Sequence, residues 1–316
     1  MTDASIPRRG LMMLAVASVG WGCSTTLSAF ALRQLSPTDL LAIELVSGGV
    51  VIWTVALASA RREFATPDWR TFAVLGLCEP GLTYLLANEG LRRDSAATAS
   101  LLFALEAVII VPLAVIFLAE RVSSAVFLAI GVGFLGALII AGGAQTGNDT
   151  PFGHILIFGS ILAAAAYALL ARRSTYRASA TIVTTYQLLA ATALALPFAV
   201  LSHVVGRSGL PHADASHWAA AFAAGMAGVA LPFLLYNRAI VEVRATIAAG
   251  VLNLVPLVGF TTAVIFLGDR PTHLEILGGC LILLSAAWLG RSEARANFPP
   301  QTSPSRHRST EGRSTD

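Results

Sequence analysis

The chain has 316 residues, of which 55% are hydrophobic and 12% are charged, and its formal net charge is +3. A soluble globular domain carries about 25% charged residues, so this composition argues against a water-soluble protein and for one that lies in the lipid bilayer. The positive charge does not indicate nucleic acid, because all 21 basic residues are arginines placed between apolar runs, which is typical of the cytoplasmic ends of membrane helices.

Ten apolar runs follow one another along the chain, and each is close to the length of about 20 residues that a bilayer-spanning helix needs. The first run is too long for a signal peptide, so we interpret it as an uncleaved helix. The sequence therefore predicts an all-α integral membrane protein with ten transmembrane helices, at 11–32, 38–60, 70–91, 96–118, 124–143, 153–172, 180–203, 217–240, 245–267 and 273–290.

The arginines predict the orientation of these helices, because basic residues concentrate on the cytoplasmic side. If the N-terminus is cytoplasmic, 15 arginines lie on the inner side and 5 on the outer side, with Arg238 inside the eighth helix. Both termini are therefore predicted to be cytoplasmic, in a bacterial inner or plasma membrane.

An internal repeat divides the chain into two halves. Residues 114–121 (AVIFLAER) recur 149 residues later as 263–270 (AVIFLGDR), and 13 of 41 positions are identical over 81–121 and 230–270. Asn88 and Asn237 fall in the same register, and a role in capping or as a hinge is favoured for them. Because each half holds five helices, an odd number, the second half must be inverted in the membrane relative to the first.

The repeat and the composition together predict the domain organisation. We expect a cytoplasmic N-terminus at 1–10, a first five-helix repeat at 11–143, an external linker at 144–152, a second repeat at 153–290 and a disordered cytoplasmic tail at 291–316. The tail is rich in Arg, Ser, Thr and Pro and has too few apolar residues to form a core. Inverted repeats are common in transporters, whose binding site lies at the interface of the repeats near the midplane.

The chain resembles the EamA-type branch of the drug/metabolite transporter superfamily over roughly residues 11–290. The resemblance depends on Trp21-Gly22 in the first helix, the Arg121 and Arg270 motifs that end the fourth and ninth helices, and the degenerate Glu-Pro-Val patterns at 106–108 and 255–257. It implies export of small metabolites, amino acids or drugs, often coupled to protons. This chain has Glu44 near the place where many members carry an arginine, so the resemblance leaves open which substrate charge the site prefers.

Three glutamates lie inside the predicted membrane spans, where a charged side chain costs at least about 2.5–3.5 kcal/mol. Glu106 is about 15 Å into the fourth helix and Glu79 about 14 Å into the third, while Glu44 is about 9 Å from the outer end of the second. Each could bind substrate or a coupling proton, or could be a protonated group that hydrogen-bonds between helices. Both alternatives stay open for Glu79 and Glu106, and the packing role is favoured for Glu44. Pro80 predicts a kink beside Glu79.

In the second half the corresponding polar residues are neutral. Asn253 lies near the position equivalent to Glu106, and Gln187 matches Glu44. Aromatic candidates for the same cavity are Trp21, Tyr84, Tyr167, Tyr186 and Tyr236. Carboxylates facing amides and aromatic rings would suit an amphipathic or cationic organic solute.

Other functions fit the sequence less well. The histidines lie in loops, at helix ends or in the tail, and no HExxH occurs, so no enzyme, metal site or cofactor is predicted. The GxGxxG pattern at 131–136 lies in a helix without a preceding strand, and close helix packing explains it better than a dinucleotide site. An uncoupled facilitator and a non-transporting sensor or scaffold remain alternatives to a proton-coupled exporter. Monomer and homodimer are both open.

Overall fold

The computed structural model describes residues 8–66, 68–118, 124–142, 150–173, 178–208, 210–243, 248 and 251–296. These residues are helical apart from turns and loops, and no strand occurs among them. The α-helices are α1 Arg8–Ala31, α2 Pro37–Ser59, α3 Trp69–Gly76, α4 Thr83–Leu91, α5 Ala96–Phe103, α6 Leu105–Leu118, α7 Ser124–Gly142, α8 Pro151–Arg173, α9 Ala180–Val204, α10 Ala215–Ala224, α11 Leu231–Glu242, α12 Leu254–Thr262 and α13 His273–Ala296.

Within the described residues, six helical stretches are long and apolar enough to cross a bilayer, namely Arg8–Ala31, Pro37–Ser59, Ala96–Leu113, Pro151–Ala171, Ala180–Val204 and Ala215–Glu242. Shorter apolar helices lie at Val126–Gly142, Leu254–Leu267 and His273–Leu289. Lipid offers no hydrogen-bond partners to the backbone, and a helix satisfies its backbone groups internally. Several long apolar helices are therefore the structure expected of a multi-pass membrane protein, as the composition predicted.

The helix ends lie close to the predicted ones, with one larger difference. Helix α13 continues to Ala296, six residues past the predicted end at 290, because hydropathy marks where lipid contact ends and not where the helical backbone ends. Residues 297–316 of the predicted tail and 144–149 of the predicted linker lie outside the described residues.

Several predicted helices are interrupted, and the interruptions recur in both halves. The third is broken at Glu79 (φ −145°, ψ 122°) inside the π-helical turn Leu77–Leu82, which confirms the predicted kink, since the residue before a proline avoids the helical region. A second π-helical turn, Gly225–Ala230, separates α10 from α11. Ala104 separates α5 from α6, and Asn253 precedes α12 at the equivalent position of the repeat.

The loops collect on two opposite faces of the helix bundle. On the first face, where α1 begins, the Ser179 amide donates to Glu63 Oε2 at 2.9 Å. On the second face, where α1 ends, Gln34 Nε2 donates to Asp214 Oδ2 at 2.8 Å. The second face also carries the loops at 92–95, 150–153 and 268–272. The first of these contacts the second through Asp94 and Thr150, and the third contacts the first turn of α5 through Asp269 and Ala97.

The helices of the two halves pack against each other in matching pairs. Helix α1 packs on α10, α11 and α12, while α8, the first helix of the second half, packs on α4, α5 and α6. Helix α2 pairs with α9, and α7 pairs with α13. The glycine pattern in α7 serves this packing as predicted at Gly133 and Gly136, which lie against Ser285 and Gly278, whereas Gly131 faces open space.

Candidate functional site

A cavity of about 450 Å³ is lined by helices of both halves of the chain. Its volume is within the range of about 300–1,000 Å³ that small-molecule sites occupy. Its wall is formed by parts of α1, α4, α5, α6, α8, α11, α12 and α13 together with the breaks around Glu79 and Asn253. The structure brings seven of the ten predicted site residues to this wall, namely Trp21, Glu79, Tyr84, Glu106, Tyr167, Tyr236 and Asn253.

The two carboxyl groups of the cavity lie at helix interruptions in the first half. Glu79 occupies the non-helical position of the third span, and Glu106 lies two residues after the interruption at Ala104. Both side chains are partly exposed and line the same cavity. Two acidic groups in one cavity can hold a cation between them or exchange it for a proton.

Aromatic rings form the wall where α1 meets α11. The Trp21 ring meets the Phe233 ring edge-on with centroids 5.4 Å apart, and the Tyr236 ring at 5.6 Å. The Tyr84 ring lies 6.3 Å from that of Phe233, and its hydroxyl donates to the Gly228 carbonyl at 2.7 Å. These contacts fix the rings across the two halves, so the wall presents flat apolar surfaces to a solute.

Glu44 lies behind the cavity wall and is buried. Its carboxylate accepts hydrogen bonds from Ser28 Oγ at 2.5 Å and from Asn88 Nδ2 at 3.0 Å. Ser28 and Asn88 themselves line the cavity, so Glu44 supports its wall without facing a solute. This is the packing position that the sequence favoured for Glu44.

Gln187 also lies outside the cavity wall, in the matching position of the second half. Asn237 Nδ2 donates to Gln187 Oε1 and to Thr184 Oγ1, both at 2.9 Å, and Gln187 Nε2 donates to the Tyr167 hydroxyl at 3.5 Å. The side-chain amides of Asn88 and Asn237 therefore do not cap their helices, and the hinge role that was the alternative stays a prediction. Both amides are buried and bond across to the neighbouring helix, because a buried amide in lipid needs a partner.

Among the wall residues that sequence reasoning missed are Ser24, Ser28 and Phe233. Ser24 and Ser28 face the cavity, and their spacing of four places both on one side of α1. Phe233 was not proposed for the site, although the repeat pairs it with Tyr84. Tyr186 lies elsewhere and donates from its hydroxyl to the Phe64 carbonyl at 2.6 Å.

The wall residues nearest the second face, Ser28, Asn88 and Leu91, are buried. Towards the first face, Ala248 and Leu289 are also buried, whereas Ala171 and Ile240 are partly exposed. No arginine or histidine occurs among the described residues that line it. In the described part of the chain there is also no group of three or more His, Cys, Asp or Glu side chains that could hold a metal ion.

Comparison with known proteins gives consistent matches. The EamA-like transporter family matches twice, over residues 8–142 and 151–291. A Bacillus subtilis (strain 168) protein named "Uncharacterized transporter YvbV" is 23% identical over 91% of this chain and 93% of its own. A Streptantibioticus cattleyicolor protein named "Probable terminal-alkyne amino-acid exporter" is 27% identical over 77% of this chain and 83% of its own. A crystal structure with 19% identity superposes with a TM-score of 0.63 over 92% of this chain and 98% of that one, a likeness of fold alone.

Proposed function

Because this chain belongs to the EamA-like transporter family and is therefore a membrane transporter, we propose that it is an alternating-access carrier that exports a small organic solute. The observation that supports this most is the cavity between the two halves, which holds Glu79 and Glu106 at helix interruptions. Inverted-repeat transporters bind their substrates at such an interface.

The proposed architecture is ten spans in two inverted five-helix repeats. The first span (α1) packs on the eighth (α10 and α11) and the ninth (α12), and the sixth span (α8) packs in the same way on the third (α4) and the fourth (α5 and α6). The second span pairs with the seventh (α2 with α9), and the fifth pairs with the tenth (α7 with α13). Exchanging the first five spans for the second five therefore reproduces the same set of contacts. The paired interruptions at Ala104 and Asn253 support the same relation.

The proposed orientation follows from the arginines and places both termini in the cytoplasm of a bacterial cell. The first face is then cytoplasmic, and export would carry the solute from the first face to the second.

The proposed substrate is an organic amine, drawn from amino acids, other metabolites or drugs, that carries an apolar or aromatic body. Its ammonium group would lie by Glu79 and Glu106, since the described wall offers no cationic side chain to an anion. Its body would lie against the ring of Trp21, and aromatic faces also attract cations. The relative named as an amino-acid exporter agrees with a zwitterion or a related amine.

The proposed coupling is exchange of substrate for protons at the same two carboxyl groups. When the substrate leaves on the outer side, a proton takes its place on Glu79 or Glu106 and allows the empty carrier to return, because a neutral carboxyl costs less to bury than a charged one. An uncoupled facilitator would bind substrate without needing that proton. A sensor or scaffold would move no solute.

The test is transport in proteoliposomes loaded with ethidium, phenylalanine or uridine, with and without a pH gradient. We expect ethidium or phenylalanine flux to rise with the gradient, and the rise to disappear in Glu79→Gln and Glu106→Gln. Glu89→Gln is the matched control, because Glu89 pairs with Arg93 one turn away and does not line the cavity. Flux that ignores the gradient would indicate a facilitator, and the absence of flux for all three solutes would contradict the carrier.

A further inference from the structure

We propose that Asp269 and Glu275 of the second half form a gate on the second face by holding the start of α5 in the first half. This inference rests on the proposed alternating access, and it goes beyond the substrate cavity. The three elements concerned, the loop 92–95 with α5, the loop 268–272 and the start of α13, meet on the second face above the closed end of the cavity.

The first contact is a helix cap supplied by the other half of the molecule. Helix α5 begins after Ser95, whose hydroxyl accepts from the Thr98 amide at 3.1 Å. The neighbouring Ala97 amide donates to Asp269 Oδ2 at 2.9 Å, across 172 residues of sequence. The first amides of a helix have no partner within it, and an anion there is further favoured by the helix dipole. Asp269 therefore stabilises the docked position of α5.

The second contact lies beside the first and uses a residue whose own position is fixed. Thr272 and Glu275 cap the start of α13 reciprocally, since the Glu275 amide donates to Thr272 Oγ1 at 3.2 Å and Glu275 Oε2 accepts from Thr272. This is a capping box. The other oxygen, Glu275 Oε1, accepts from the Thr98 hydroxyl at 2.8 Å, and Glu275 is buried. The capping box thus presents a rigid acceptor to α5.

A third contact ties the same loop to α8. Asp94 Oδ1 accepts from the Thr150 amide at 2.9 Å, and its carboxylate fills the space beside Gly153, where a Cβ atom would collide with it. His154 Nε2 lies 3.8 Å from Asp94 Oδ2. The start of α5 is therefore held from two sides by helices of the second half.

In the proposed gate, these contacts control whether the cavity is accessible from the second face. Helix α5 continues through Ala104 into α6, which carries Glu106, so a movement of its first turn away from Asp269 and Glu275 would open the cavity wall towards the second face. In the described conformation the contacts are made and the cavity is closed on that side. Weakening them must shift the population towards the state that is open to the second face.

The test measures access to the cavity from each side of the membrane. Ala87→Cys places a thiol in the wall near its closed end, in a background in which Cys23, Cys78 and Cys280 are replaced by alanine. An impermeant maleimide is added to right-side-out and to inside-out vesicles. We expect Asp269→Ala and Thr98→Val each to raise labelling from the second face by about tenfold, as the loss of a hydrogen bond to a charged group implies, and to lower labelling from the first face.

The controls separate a gate from general loosening. Thr192→Val removes a hydroxyl that donates to the carbonyl of Leu188 in its own helix, and it should leave both rates unchanged. A rise from both faces would mean that the gate variants only loosen the fold, and unchanged rates in both variants would overturn the proposal. The labelling assay needs no substrate, so it can be read independently of the transport test. If the gate variants change labelling as expected but the protein transports neither ethidium, phenylalanine nor uridine, the gate would be upheld and the proposed substrates refuted.

Discussion

The contact between α7 and α13 is close enough that a single methyl group should separate the two helices. A Cβ atom at Gly136 would lie 2.5 Å from the Gly278 carbonyl oxygen and 2.9 Å from Ile282 Cγ1, while ordinary contacts begin at 3.4 Å. The helices would have to part by about 0.9 Å, and overpacking of this kind costs about 1–3 kcal/mol. Alanine gains about 1 kcal/mol in helix propensity, so Gly136→Ala should destabilise the protein by up to about 2 kcal/mol.

Gly131→Ala is the matched control, because Gly131 lies in the same helix and a Cβ atom there meets nothing within 4 Å. It gains the same helix propensity without the collision, so it should be neutral or stabilising. The assay is the Tm of the detergent-solubilised protein, followed by the fraction that remains monodisperse after heating. Gly278→Ala should behave like Gly136→Ala, because its Cβ would lie 2.5 Å from the Gly136 carbonyl oxygen. A Tm for Gly136→Ala equal to that of Gly131→Ala would refute the packing argument.

Two further predictions concern the interhelical amide and the aromatic wall. Asn237→Leu keeps a side chain that branches at Cγ but removes both hydrogen bonds to α9. At about 0.6 kcal/mol for each bond in a membrane, it should lower the Tm by a few degrees. An unchanged Tm would show that these bonds do not hold α9 and α11 together. Trp21→Ala removes a ring that meets Phe233 and Tyr236 and should weaken ethidium binding about fivefold, measured by fluorescence titration, whereas equal affinity would place the solute elsewhere.

The positions of the helices were accessible from sequence because lipid imposes a simple rule. A span must be apolar for about 20 residues, so α1, α2 and α9 begin and end within a few residues of the predicted bounds. The break at Glu79 followed from Pro80 for the same local reason. The interruption at Ala104 had no such signal, because neither a proline nor a glycine lies beside it.

The partners of the polar groups could not be derived in the same way. A helix in lipid is apolar on every side, so its sequence does not show which side meets which neighbour. Glu44 could be placed at a depth in the second span, but its bonds to Ser28 and Asn88 depend on how three helices are arranged. The contact of Asp269 with the Ala97 amide joins residues 172 positions apart and follows from the fold alone.

The duplication accounts for the framework of the proposed mechanism, and the differences between the halves account for its chemistry. The interruptions at Ala104 and Asn253 recur at the same repeat position, so both halves can bend alike. The acidic groups do not recur, because the position of Glu79 is taken by Gly228 and that of Glu106 by Val255. A cation in the cavity would therefore stay bound to the first half while the second half moves past it. Charge added by Val255→Glu should consequently retain the cation and slow ethidium transport in proteoliposomes while strengthening binding, and faster transport would contradict this division of roles.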